Sequence, residues 1–310
     1  MKIVISFNFI FIYLYNISMS DLKILLQEKL KEKRPNLSTS SVKTYISILS
    51  NIYKKLNGEG NIEWFNKESN QILKCLEEKN DQTKKTNLSA LFILTGNKEY
   101  QSIMNLVMKK VNDNYKNQTM NEKQKENWIS IDDIKDKYNA LSVDANLMLN
   151  KKKILNENVM MEFLLMSFLS GVIMPPRRSL DYSEMKIRNF DTKTDNYYKA
   201  NKFYFNQYKT FKTYGLQILD VPKDLNNVLK KWIKINTNDY MIYSSNGHKI
   251  SCPQITRILN KVFGKKISTS MLRHIYLTNV YKDVPQINKM ENLANEMGHS
   301  VSTAMEYIKR

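Results

Sequence analysis

The chain has 310 residues, 42% of them hydrophobic, and its 48 Lys and Arg against 30 Asp and Glu leave a formal charge of +18. That excludes a disordered tail and fits a folded protein whose field attracts a polyanion. Two distant cysteines, Cys75 and Cys252, exclude a disulfide framework and make a reducing compartment the default. No Cys/His spacing suits zinc, and Gly264-Lys265-Lys266 lacks the first glycine and the hydroxyl residue of a nucleotide-phosphate loop, so no metal or cofactor is expected.

Residues 1–18 are strongly apolar behind Lys2, but they are short for a membrane span and no small-residue cleavage site follows them. Residues 1–19 therefore read as an apolar extension, with no membrane role, and Ser20-Asp21 reads as the cap of the first helix. Leu22, Leu25, Leu26 and Leu30 share one face. Val42, Tyr45, Ile46, Leu49, Ile52, Tyr53 and Leu56 repeat at three and four, with Ser40 or Ser41 as cap and Gly58 as stop. Further helices are expected around Ile72–Leu76, Leu88–Leu94 and Ile103–Val111. Residues 20–115 thus form a small all-helical domain, and the charged stretch 116–127 reads as a linker.

Trp128-Ile129-Ser130 opens a second domain, 128–310, with Ser130 and Asp133 at a helix start. Val159 to Val172 is nearly all apolar and reads as a buried central helix that must stop at Pro175-Pro176. A new helix begins near Arg177-Arg178-Ser179-Leu180-Asp181, where two arginines join free backbone N–H groups in a seat for phosphate. Met185–Phe190, Lys202–Tyr208 and Leu216–Val221 read as strands, the last two flanking a tight basic connection, Lys209 to Gly215. Helices return through Val228, Leu229 and Trp232, and from Pro253 to Phe263. The expected fold is mainly α with a small antiparallel β-sheet (α+β).

The last forty residues hold two of the three histidines: Arg273-His274, then Gly298-His299, then Tyr307. Arginine forks two N–H donors onto phosphate oxygens and keeps its charge; histidine donates to a third oxygen. A tyrosine phenol is a nucleophile that can attack phosphorus without a metal or water. Taken singly, each residue has an ordinary structural role; the ordered set carries the weight.

Arg178, a connection lysine, Arg273-His274, Gly298-His299 and Tyr307 stand in the order and approximate spacing of the tyrosine recombinases, which the sequence from about 128 to 310 resembles. The Pro-Pro-Arg-Arg form of the first motif resembles versions carried by large DNA viruses and their mobile elements. The resemblance implies a helical core-binding domain and a catalytic domain clamped around double-stranded DNA, assembling as a dimer or tetramer. It places the protein inside the cell with DNA, in the nucleus or a viral replication compartment. In the implied chemistry Tyr307 forms a 3′-phosphotyrosyl link, Arg178 and Arg273 neutralise the phosphate, His299 donates to it, and Lys209 protonates the departing 5′-oxygen. Arg178 is preferred over Arg177, and Lys209 over Lys212. The family's usual histidine three residues before the second arginine is Ser270 here, with His274 one helical turn away as a partial substitute. The rival expectations are a type IB topoisomerase-like enzyme and a DNA-binding protein with a decayed active site.

Overall fold

The computed structural model describes residues 17–298 and 300–306. Its described residues form two compact units: those up to Thr119 together with those from Pro285 onward, and Met120–Val284. The architecture is mostly helical with one small sheet, as the hydrophobic periods require. Among the described residues no helix is long and apolar enough to cross a membrane.

The first unit begins with α1 (Met19–Lys33), capped two residues earlier than expected by Ser18, whose hydroxyl accepts the Asp21 N–H. Leu22, Leu26 and Leu30 are fully buried on one face. The next helix, α2 (Thr39–Lys55), is likewise capped earlier than expected, by Ser38, and buries Val42, Leu49, Ile52 and Tyr53. Helices α3 (Trp64–Lys67), α4 (Ser69–Leu76), α5 (Asp81–Thr95) and α6 (Lys98–Lys116) complete the N-terminal group. Phe65, Ile72, Leu88, Leu91 and Tyr100 close its core, with the Tyr100 hydroxyl donating to the Phe65 carbonyl at 2.7 Å.

The second unit starts inside the stretch read as a linker. Asn121 and Gln124 form a capping box that opens α7 (Glu122–Asn127), and buried Asn127 accepts the Lys266 N–H. A second capping box, Ser130 with Asp133, opens α8 (Ile131–Leu149). The apolar α9 (Glu157–Leu169) is buried from Phe163 to Leu169 without a break, because helices and the sheet cover it on all sides. Each buried phenylalanine there contributes about 2–3 kcal/mol of burial free energy.

Helix α9 stops at Leu169, before the prolines expected to end it. Gly171 takes φ +85°, and an added Cβ would stand 2.5 Å from the Tyr276 ring. Gly171→Ala should therefore lower stability by about 2–4 kcal/mol, from left-handed strain plus overpacking. Urea unfolding checks this. Adding Tyr276→Ala should recover the steric part of the loss but not the backbone part.

The chain continues through α10 (Ser179–Ser183) into a four-stranded sheet of β1 (Met185–Lys186), β2 (Asn196–Lys199), β3 (Lys202–Phe205) and β4 (Gln217–Asp220), in sequential order. The sheet is mixed, since β1 and β2 run parallel and the other pairs antiparallel. Strand β2 was not expected. Its hairpin to β3 turns on Ala200 and Asn201, both at positive φ, without the glycine that normally announces such a turn. The inner face packs Phe203 and Phe205 around Tyr182, which stacks on Phe168 at 4.6 Å. The connection from Lys209 to Gly215 is a short helix, α11 (Phe211–Tyr214), rather than a plain hairpin turn. Helices α12 (Lys223–Ile235), α13 (Cys252–Phe263) and α14 (Thr269–Val280) finish the unit.

The described residues from Pro285 onward group with the N-terminal helices rather than with 128–284. Helix α15 (Ile287–Glu296) is tied there by Lys116–Glu291 at 2.9 Å and by Asn288 donating to Asn117 at 2.9 Å. The last described element is α16 (Val301–Glu306).

Candidate active site

Two of the expected arginines lie within electrostatic reach of each other in the second unit. Arg178 is the N-cap residue of α10, and Arg273 lies on α14. The Ser179 and Thr269 hydroxyls share a hydrogen bond of 2.6 Å, which fixes the residue after Arg178 against the first turn of the helix carrying Arg273. Both residues are half-buried, and among the described residues neither side chain has a hydrogen-bond or ion-pair partner. Burial pushes the Arg273 guanidinium below its usual value, and the like charge of Arg178 adds to the effect. Two crowded cations without an acceptor make a seat for an anion.

The neighbouring Arg177 makes two side-chain hydrogen bonds. Its Nε donates to Asp181 Oδ2 at 2.8 Å and its Nη1 to Gln217 Oε1 at 2.7 Å. Its guanidinium carbon lies 4.0 Å from the Phe205 ring centroid and 5.1 Å from that of Tyr208. Asp181 is almost fully buried, and its Oδ1 has no partner. Burial pushes its carboxyl above the usual carboxylate range, opposed first by Arg177 and then by Arg178 and Arg273.

Lys209 and Lys212 are both exposed on the connection between Tyr208 and Gln217. The Tyr208 hydroxyl closes the base of that connection by donating to the Gly215 carbonyl at 2.7 Å. Ser270 and His274 lie exposed on α14, and His274 lines a cleft of about 320 Å³ with Lys123, Lys266 and Ser268. His299 and Tyr307 lie outside the described residues.

Three positioning residues were not read from the sequence. Asn196, fully buried, donates to the carbonyls of Asp181 and Gln207 and accepts the Gln207 N–H, so it joins α10 to the segment leading into Lys209. Gln217 anchors Arg177, and Thr269 anchors Ser179. An asparagine inside an otherwise aromatic strand run, Asn196-Tyr197-Tyr198, was the one available signal.

No protein-family model and no curated protein matches the sequence. Among solved structures the chain is similar to the XerA recombinase, at 16% identity over 92% of this chain and 93% of that one, with a TM-score of 0.35. It is also similar to the XerH site-specific recombinase bound to palindromic difH substrate in a post-cleavage complex, at 15% identity, 92% and 91% coverage and a TM-score of 0.36. The pre-cleavage complex of XerH with difH substrate gives 15% identity, 96% coverage of both chains and a TM-score of 0.35.

Proposed function

We propose that the chain is a tyrosine-type DNA strand transferase, a site-specific recombinase or integrase acting on double-stranded DNA as a dimer or tetramer. The observation that carries this reading is that Arg178 and Arg273 lie within electrostatic reach of each other, beside the Ser179–Thr269 hydrogen bond, with no protein acceptor for either guanidinium among the described residues. Their charge and forked donors suit the two non-bridging oxygens of one phosphodiester, whose negative charge grows as a fifth oxygen approaches phosphorus.

In this reaction the Tyr307 oxygen forms a new bond to phosphorus and the bond from phosphorus to the 5′-oxygen breaks. The phenol proton passes to a base, for which exposed His274, one turn beyond Ser270, is the candidate. Lys209 gives its proton to the departing 5′-oxygen, and His299 donates to a phosphate oxygen. Attack by a second strand's 5′-hydroxyl reverses the sequence. The phosphotyrosyl ester conserves the bond, so no nucleotide is consumed.

The test is capture on a nicked duplex selected from a randomised pool, in which the short 5′-hydroxyl fragment diffuses away after cleavage. A detergent-resistant protein–DNA adduct that forms in EDTA is expected. Absence of any adduct, or strand cleavage only with a divalent cation, would overturn the proposal.

A further inference from the structure

We propose that Arg177 is a positioning residue that holds the Lys209-bearing connection in register with the Arg178–Arg273 seat. The inference rests on the strand-transfer reading above and adds a residue to it. Arg177 commits Nε to Asp181 and Nη1 to Gln217, which fixes the plane and position of its guanidinium. Its side chain is only 17% exposed and stacks on Phe205.

What Arg177 touches defines its task. Tyr208 immediately precedes Lys209, and Gln217 follows the connection at its far end, so one planar group grips both ends of the segment that carries the lysines. Its third contact, the Asp181 carboxylate, lies within electrostatic reach of Arg178 and Arg273. Asn196 makes a parallel link through the backbone, from the Asp181 carbonyl to Gln207. Lys209 itself is exposed, so its placement comes from the ends of the connection. A general acid has to lie within about 3 Å of the oxygen it protonates, and a misplacement of about 1 Å costs on the order of 10²-fold in rate. Lysine cannot replace arginine here, since it lacks the flat fork that meets Asp181, Gln217 and the two rings together.

The experiment compares wild type, Arg177→Lys and Gln217→Leu on the selected nicked duplex in two forms, one with the natural bridging 5′-oxygen and one with sulfur in its place. A thiolate leaves without being protonated, because thiols ionise near a pKa of about 8.5. On the oxygen duplex both variants should form adduct about 10²-fold more slowly than wild type. On the sulfur duplex they should come within about threefold of it, as Lys209→Ala should, whereas Arg273→Ala should stay slow on both. Gln217→Leu keeps the Arg177–Asp181 pair, so it reports on the tether even if Arg177→Lys does not fold. Equal slowing on both duplexes, or no slowing on either, overturns the positioning role. If wild type forms no adduct on either duplex, strand transfer itself is refuted; if wild type reacts and sulfur gives no rescue, only the role of Arg177 falls.

Discussion

Tyr307→Phe is expected to abolish the covalent adduct, with a loss of at least about 10⁴-fold, while duplex affinity stays within about twofold of wild type. Phenylalanine keeps the ring and removes the oxygen that the proposed reaction bonds to phosphorus, so only the covalent step should be lost. Affinity should be carried by lysine and arginine contacts to phosphates, and its steep fall with salt should have the same slope in both proteins. Side-by-side binding titrations and adduct gels check the two halves. A phenylalanine variant that still forms adduct would mean another of the 18 tyrosines, or another residue type, is the nucleophile.

Removing one arm of the anion seat should have the next largest effect. Arg178→Ala and Arg273→Ala are each expected to slow adduct formation about 10²- to 10³-fold, or about 2.7–4 kcal/mol of transition-state stabilisation. The double variant should lose less than the sum, because in the proposed reaction both groups act on one phosphate. Arg177→Ala should behave differently. It strands the buried Asp181 carboxylate and should cost about 3–5 kcal/mol of folding stability, seen as a lowered thermal midpoint. Normal stability with a 10³-fold kinetic loss in Arg177→Ala, and the reverse in Arg178→Ala, would exchange the roles of the two neighbours.

Local signals were legible in the sequence and distant ones were not. Ser130 with Asp133 and the apolar run of α9 act within a turn or two, and helices stand where those signals lie. The prolines at 175 and 176 were read as the stop of α9, but the helix ends at Leu169, two residues before Gly171 turns into the left-handed region. Strand β2 escaped notice because Ala200 and Asn201 make its turn without glycine. The preference for Arg178 over Arg177 came from spacing alone. Gln217, forty residues onward, binds Arg177, a contact the sequence did not announce. Bonds of that range leave no local pattern, and neither does Asn196, whose three partners are all backbone groups.

The most direct measurement is to trap wild-type protein on the nicked duplex, digest protein and DNA, and locate the nucleotide-bearing residue by mass spectrometry. A single modified peptide is expected, carrying the nucleotide as a phosphate ester on Tyr307. A nucleotide on any other residue, Tyr276 and Tyr281 of the Arg273 helix region included, would contradict the proposed chemistry.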